Sequence, residues 1–353
     1  MAISLQIEGK ISFRTCIGII IFKLDSKMDK KILSIIIPTY NMEALLDQCL
    51  TSLILDTKEL REKLDVIVVI DGATDRSSEI AHKYADKFSE MFFVIEKENG
   101  NYGSCINAAL PQAKGKYVRI LDADDSYYTE NLPAYLNVLE QQDVDLVLTD
   151  FNTVNVNGEV VSEKRLPFKA NSPFFFSEIP SDTFIAMHEI AYRSSIFKEI
   201  DYHQTEGVSY TDLEWVFHPM SKVKTVFYLS LPIYKYLIGR EGQTVDSKVK
   251  IKRIGHTVQS LKNQLIIFKS IPSTSMAYSY MNNLLFQRAR FIYLAHITQG
   301  APLDLVSIDN MLRKSCRSVY DRLSEVTVRV NLLKTNLPII KMWRNPLFRM
   351  LIE

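Results

Sequence analysis

Three absences narrow what this chain can be. Its cysteines lie far apart and form no C-x-x-C pair, which argues against a zinc cluster and fits a reducing cytosol. No stretch approaches the roughly 20 consecutive apolar residues that span a bilayer. The formal net charge is only +1 over 353 residues, so composition gives no reason to predict nucleic acid as a ligand. The cysteines are Cys16, Cys49, Cys105 and Cys316.

What the chain does have is the material for a folded core. Hydrophobic residues make up 47% and charged residues 24%, which is typical of a soluble globular protein. From residue 31 onward, short apolar runs alternate with stretches of helical periodicity. This alternation predicts a parallel, open α/β sheet flanked by helices. The apolar runs are Lys31–Pro38, Asp65–Ile70, Met91–Ile95, Tyr117–Leu121 and Asp145–Thr149.

Polar residues follow three of these predicted strands. They are Asp71, the loop Asn99–Gly103 and the cluster Asp122–Asp125. Ligands of open α/β sheets bind at the carboxyl ends of the strands, so the three segments should meet at one site. The Asn99–Gly103 loop opens a predicted helix and has two glycines that let a backbone approach an anion, although a plain turn has the same composition. It lacks both the G-x-G-x-x-G and the P-loop patterns.

The acidic cluster has two interpretations. If the strand stays extended to its end, Asp122 and Asp124 point the same way, and a divalent cation relieves their repulsion. Hard Mg²⁺ or Mn²⁺ prefers oxygen ligands, and two carboxylates leave positions free for water or a diphosphate. Alternatively, Asp-Asp before Ser126 is an acidic turn or a helix cap.

The rest of the chain is predicted more coarsely. A hairpin is expected around Asn157-Gly158, an irregular surface excursion at Lys164–Pro180, and strands at Lys224–Leu229 and Ile233–Leu237. From about residue 248 the pattern is helical. We therefore predict an N-terminal extension (residues 1–30), a catalytic domain (31–245) and a C-terminal helical region (246–353).

Four motifs in order resemble the family 2 glycosyltransferases of GT-A fold. The resemblance covers about residues 31–245 and implies an inverting, metal-dependent transferase that uses a nucleotide-diphosphate sugar, with UDP the usual nucleotide. The motifs are SIIIPTYN (Ser34–Asn41), DGATDRS (Asp71–Ser77), ENGNYG (Glu98–Gly103) with Asn107, and GKYVRILDADD (Gly115–Asp125).

The resemblance also implies a donor site. Pro38, Thr39 and Tyr40 would line the nucleotide pocket, and Asp71 would accept a hydrogen bond from the base. In the D-x-D motif, Asp122 would face the ribose or metal-bound water and Asp124 the Mn²⁺ or Mg²⁺ ion. The other donor-binding positions that it implies are Asn41, Asn99, Gly103, Asn107, Ala123 and Arg240.

Family members commonly place the catalytic base in a Glu-Asp pair at the start of a later helix. Here Asp212 matches the base, with Glu214 as the fallback, and Thr211 stands where an acid is usual. The alternative for Asp212 is a carboxylate that interacts with the helix dipole. His188 and Glu214 would contact the acceptor or diphosphate, and the alternative for His188 is a structural role. Arg240 resembles part of a loop that closes over the diphosphate, or else is a solvated charge.

Basic residues interleave with apolar and aromatic ones in the tail, residues 332–352. This suits a helix on an anionic membrane, and equally one that packs on the chain's own helices. We therefore predict a cytoplasmic enzyme, peripheral at the plasma membrane if the tail binds there, that acts on a glycan or lipid-linked acceptor in surface polysaccharide synthesis. The alternatives are a nucleotide-sugar pyrophosphorylase, whose activation loop is missing after the first strand, and a non-catalytic binder or scaffold.

Overall fold

A computed structural model describes residues 31–240, 252–299 and 304–326. The predicted N-terminal extension, the boundary at residues 245/246 and the amphipathic tail lie outside these ranges. The strands are β1 (Leu33–Thr39), β2 (Leu64–Asp71), β3 (Phe92–Lys97), β4 (Tyr117–Ile120), β5 (Ser126–Tyr127), β6 (Leu146–Val154), β7 (Val160–Lys164), β8 (Ser172–Phe175), β9 (Ile190–Arg193) and β10 (Thr225–Leu237).

Helices flank these strands and dominate the later part of the chain. No helix within the described ranges is both long and apolar enough to cross a bilayer. The helices are α1 (Leu46–Thr51), α2 (Lys58–Glu62), α3 (Ser77–Lys87), α4 (Asn101–Ala109), α5 (Leu132–Gln141), α6 (Ser195–Glu199), α7 (Asp212–Trp215), α8 (Ile254–Lys269), α9 (Tyr278–Gln299), α10 (Leu305–Ser315) and α11 (Arg317–Val326).

The strands form one sheet in the order β3-β2-β1-β4-β9-β6-β10-β5, with β7 paired to β6 and β8 to β10. The β3-β2-β1-β4 half is parallel, and every residue of β2 is buried, because helices cover both faces of a parallel sheet. The predicted α/β architecture is confirmed. The other half is mixed, because β9 pairs antiparallel with both β4 and β6.

Two local predictions differ from the structure, and one strand was not predicted. The two strands expected at 224–229 and 233–237 are one strand, β10, whose pairing with β6 shifts register around Pro232, a residue that has no N–H for the ladder. The excursion at Lys164–Pro180 contains β8, which pairs with β10. Four-residue β9 was not predicted, because so short a run shows no clear alternation.

Two apolar clusters cover the two faces of the sheet. Alternate residues of β1 divide between them, with Ile36 in one and Ile35 and Ile37 in the other, as the period of two in a strand requires. The cluster that contains Ile36 also includes buried residues of α8 and α9, such as Leu261 and Leu285. The C-terminal helices therefore share a core with the sheet and stand beside α7.

Candidate active site

The acidic cluster follows β4 as a turn. The strand ends at Ile120, and the amide of Asp125 donates to the carbonyl of Asp122 at 3.0 Å. The extended form that would have aligned Asp122 and Asp124 by strand alternation therefore does not persist. The chain turns here because β1 pairs with β4 only as far as Ile120.

Asp71 and Asn99, predicted to bind the donor, are in direct contact. The Asp71 Oδ1 atom accepts from Lys97 Nζ at 2.7 Å and from the Gly100 amide at 2.9 Å. Asn99 Nδ2 donates to the Asp71 carbonyl at 2.9 Å. The Asp71 side-chain bonds among the described residues all fall on Oδ1, the third being from Ser104 Oγ at 3.5 Å. Lys97 was not predicted.

The end of β1 supplies the neighbouring wall. Pro38 is half-buried, and Thr39 is buried with its hydroxyl donating to the Ile37 carbonyl at 3.1 Å. The Tyr40 side chain is 49% exposed, which leaves its ring open to a ligand. Asn41 has φ +52°, and its Oδ1 accepts from the Thr74 amide at 2.8 Å. Asn41 therefore ties the loop after β2 to the end of β1.

Three other predicted donor residues have packing or loop-tying contacts. A Cβ at Gly103 would lie 2.2 Å from the Thr205 carbonyl oxygen, so this glycine permits close packing. The Asn107 side chain donates through Nδ2 to the Gln204 backbone carbonyl at 2.9 Å, and its Oδ1 accepts from the Gln204 backbone amide at 2.8 Å. Ala123 is buried in the core. Direct contact of these residues with a donor stays a prediction.

A cavity of about 860 Å³ joins the ends of the strands to the C-terminal helices. Asp122, His188 and Asp212 all line it, although they are far apart in sequence. Residues of α9 and the segment before α8, among them Arg288 and Arg253, form another part of its wall. The cavity thus brings the predicted D-x-D carboxylate and the predicted base to one space.

Asp122 lies in an electrostatic environment that favours a cation. Burial, followed by the charge of Asp124, raises its pKa to about 7, with a smaller contribution from Asp212. Tyr102 donates to Asp122 Oδ1 at 2.8 Å and opposes the rise. A buried group of acids whose mutual repulsion raises a carboxyl pKa, and which offers hard oxygen ligands, fits Mg²⁺ or Mn²⁺.

Asp124 and Arg240 form an ion pair. Arg240 Nε donates to Asp124 Oδ2 at 2.8 Å, and both side chains are mostly buried. The family resemblance implied that both residues bind the donor, but it did not predict this contact. In this conformation the guanidinium balances the carboxylate that was predicted to bind the metal.

Asp125 fixes the turn to the sheet, a role that sequence reasoning missed. It accepts from the Tyr234 hydroxyl at 2.6 Å and from the Leu237 amide at 2.7 Å. The Tyr234 hydroxyl also accepts from the Asp122 amide at 3.1 Å. One tyrosine of β10 therefore holds both ends of the acidic turn. Nothing local in the sequence marks a pairing across more than 100 residues.

His188 lies beside the acidic turn. Its ring packs against Tyr234 and Tyr236, with centroids 4.5 and 4.6 Å away. Burial, then the charge of Arg119, lowers its pKa to about 3, so the imidazole is neutral near pH 7. One atom each from His188, Asp122 and Asp125 lie within 4.8 Å of one another. A neutral imidazole at this position can coordinate a metal ion or accept a hydrogen bond from a ligand.

Arg119 is a further residue that the sequence did not reveal. It is fully buried in β4 and donates to the His188 carbonyl. Its guanidinium also lies 5.3 Å from the Tyr127 ring centroid and donates to Thr149 Oγ1 at 3.0 Å. In the sequence Arg119 is part of an apolar run, and nothing in the neighbouring residues indicates this role. It positions the segment that carries His188.

Asp212 and Glu214 occupy different environments. Asp212 is the first residue of α7 and lines the cavity, after Tyr210 at a strained φ of +66°. Glu214 is 4% exposed, and its two oxygens accept from the Thr205 amide and hydroxyl, each at 2.9 Å. Glu214 does not line the cavity, so the geometry favours Asp212 over Glu214 as a base.

Comparison with known proteins identifies the family. The sequence model of Glycosyl transferase family 2 matches residues 34–202. An uncharacterized glycosyltransferase, the MG025 homolog of Mycoplasma pneumoniae, is 30% identical over 227 residues, which cover 61% of this chain and 70% of that protein. The chain belongs to glycosyl transferase family 2. The family match ends before Asp212, so the proposed base and the C-terminal helices lie beyond it.

A second relative links this glycosyltransferase to a solved structure. The poly(ribitol-phosphate) beta-N-acetylglucosaminyltransferase TarS of Staphylococcus aureus is 28% identical over 222 residues, 61% of this chain but only 37% of TarS. The crystal structure of S. aureus TarS 1–349 in complex with UDP-GlcNAc superposes with a TM-score of 0.60 at 20% identity, covering 86% of this chain and 83% of that one. This likeness confirms the GT-A fold.

Proposed function

We propose that this glycosyltransferase transfers a sugar, with inversion, from a UDP-linked donor to a hydroxyl of a glycan or lipid-linked acceptor in surface polysaccharide synthesis. The observation that carries the proposal is the single cavity shared by Asp122 and Asp212. In this proposal one end of the cavity holds the donor, and the Asp212 carboxylate faces the incoming acceptor hydroxyl. The name of TarS, a poly(ribitol-phosphate) transferase, and its complex with UDP-GlcNAc support a UDP-sugar donor and a polymeric acceptor.

In this proposal the nucleotide lies at the ends of β1 and β2. The Tyr40 ring packs against the base, and Asp71 Oδ2 accepts from a base N–H. The Asp71 side chain pairs through Oδ1 with the Lys97 ammonium 2.7 Å away. The diphosphate then extends toward the acidic turn after β4. This places the anomeric carbon in the cavity that Asp212 lines.

The transfer step is a single displacement. The acceptor hydroxyl forms a bond to the anomeric carbon as the bond from that carbon to the diphosphate oxygen breaks. Asp212 takes the hydroxyl proton, and the nucleoside diphosphate leaves on the opposite face. Arg240, which pairs with Asp124 in this conformation, is placed to stabilise the departing charge.

Asp122 and Asp124 would hold Mn²⁺ or Mg²⁺. When bound, that cation supplies Lewis-acid neutralisation of the charge on the leaving diphosphate. The oxygen donors and the raised pKa of Asp122 are the features of this chain that support metal binding. Asp125, held by Tyr234 and Leu237, keeps the turn in place.

The proposal is tested with a panel of nucleotide sugars, by thermal shift and donor hydrolysis in Mn²⁺ or in EDTA. We expect one UDP-sugar to raise the melting temperature and to be hydrolysed slowly, in Mn²⁺ only. Asp71→Asn should weaken that shift, because the amide no longer pairs with Lys97 as an anion. If no donor changes the melting temperature with or without metal, the proposed catalytic function is wrong and the scaffold alternative is favoured.

A further inference from the structure

Arg288 has an unusual position in the wall of the cavity. It lies within α9, and its half-buried side chain lines the cavity together with Asp212. Its Nη1 is shielded from solvent and has no hydrogen-bond partner among the described residues. Burying a polar atom without a hydrogen-bond partner destabilises a protein, and more so when the group is charged. A guanidinium left in this state next to a cavity indicates a missing acceptor.

The nearby acids, Asp212 and Glu214, do not supply the missing hydrogen-bond acceptor. Burial lowers the pKa of Arg288 to about 10, while the charges of Asp212 and Glu214 raise it, so the group stays charged at neutral pH. Both oxygens of Glu214 accept from Thr205. Both acids attract the guanidinium through their charge, and Nη1 still has no hydrogen-bond partner among the described residues.

A second arginine lies on the same cavity. Arg253, just before α8, donates through Nη1 to Ser209 Oγ at 3.1 Å and is exposed. Its charge also lowers the pKa of Tyr210, which burial raises. Tyr210 lines the cavity two residues before Asp212. The C-terminal helical region therefore contributes two guanidinium groups near the proposed base.

We propose that Arg288, assisted by Arg253, binds a phosphate group carried by the acceptor. The inference rests on the proposed function and adds the chemical class of the acceptor. Guanidinium groups form bidentate pairs with phosphate, and the tetrahedral oxygens of one phosphate can accept from two arginines at once. The donor diphosphate has its own partner in Arg240, beside Asp124 at the acidic turn.

The consequence is an acceptor held at two points. The phosphate is bound by the C-terminal helices while a neighbouring hydroxyl is presented to Asp212. A phosphate ester linked to a polyol or a sugar satisfies this geometry. The phosphate could belong to a soluble polyol phosphate or to a lipid headgroup, and the two sources share the same recognition chemistry.

The test uses the full chain, saturated with UDP and Mn²⁺. Binding of glycerol 3-phosphate is measured by titration calorimetry, with glycerol as the uncharged counterpart. We expect glycerol 3-phosphate but not glycerol to bind, at least 10-fold more weakly to Arg288→Gln, with Arg288→Lys intermediate and Arg253→Gln weakened less. Arg290→Gln is the matched control, since Arg290 is exposed on the same helix and does not line the cavity.

A second arm measures co-sedimentation with phosphatidylglycerol vesicles. A loss of vesicle binding in Arg288→Gln but not in Arg290→Gln assigns the phosphate to a lipid headgroup and supports the site equally. The proposal is overturned if UDP binds but neither probe shows a dependence on Arg288. UDP affinity should stay within twofold in every variant, which also shows that each is folded. Arg288-dependent phosphate binding without UDP binding would retain the site and reject the proposed function.

Discussion

Arg240 Nε lies 2.8 Å from Asp124 Oδ2, just beyond the end of β10. The contact joins the acidic turn after β4 to a residue 116 positions later in the chain. Both partners are mostly shielded from solvent. The carboxylate proposed to bind a metal therefore already has a cation beside it, and any bound metal must share or displace that cation.

Replacing Arg240 should separate metal binding from turnover. In Arg240→Gln, the competing positive charge is lost, so Mn²⁺ should bind several-fold more tightly in the absence of donor. Donor turnover should fall by about 10- to 100-fold, because one charge-assisted contact to the leaving group is removed. Manganese titration by electron paramagnetic resonance and a hydrolysis assay measure the two effects. Arg165→Gln, at an exposed arginine after β7, should change neither; weaker Mn²⁺ binding in Arg240→Gln would contradict the ion-pair argument.

Asp212 and Glu214 should respond differently to loss of charge. Asp212→Asn should lower transfer by about 10²- to 10⁴-fold with UDP affinity unchanged, as expected for removal of a general base. Glu214→Gln should lower stability by about 1–3 kcal/mol, because the bonds to Thr205 are weakened. Its turnover per folded molecule should stay near that of the wild type. Initial rates and urea unfolding distinguish the two, and the reverse ranking of rates would assign the base to Glu214.

Lys97 should act through Asp71 on donor affinity. Its Nζ donates to Asp71 Oδ1 at 2.7 Å and to Ser104 Oγ at 2.8 Å. Lys97→Met should weaken UDP binding by about 5- to 10-fold and leave kcat within a factor of two, because base contacts are the same in the ground and transition states. Calorimetry with UDP measures the first effect. Lys87→Met, at the exposed end of α3, is the control, and an unchanged UDP affinity in Lys97→Met would remove Asp71 from base recognition.

Much of the fold was predictable because its signal is local. Buried parallel strands are continuous apolar runs in the sequence, and β1, β2 and β4 show this pattern clearly. The chain order of these strands with their helices then predicts the sheet. β9 and the register shift around Pro232 were not predicted, because each depends on pairing partners far away in sequence.

For the candidate site, the sequence predicted residues but not the contacts between them. The motif resemblance pointed to Asp122, Asp124 and Asp212, and the structure places Asp122 and Asp212 on one cavity. Arg119 and Lys97 were missed because each lies within a strand and becomes informative only through a neighbour. Arg288 was missed because it belongs to a helix that carries no motif.

Acid should destabilise the protein partly through His218. The imidazole packs on Tyr202, with centroids 5.6 Å apart, and burial lowers its pKa to about 4. The unfolded histidine titrates near 6.5, so the unfolded chain binds more protons between these values. This contribution to stability is present above pH 6.5 and is lost as pH falls toward 4, with an upper limit on the order of 3 kcal/mol. The free energy of unfolding of His218→Gln should depend less steeply on pH in this range than that of the wild type. His82→Gln, at an exposed site, should keep the wild-type slope. Equal slopes in the wild type and His218→Gln would refute this cause.

The most direct test of the central claim is the anomer first released when an α-linked UDP-sugar is hydrolysed, followed by proton NMR in Mn²⁺. An inverting displacement with Asp212 as base predicts that the β-anomer appears first, before mutarotation, and that Asp212→Asn slows its release at least 100-fold. Initial release of the α-anomer, or an equal rate in Asp212→Asn, would contradict the account.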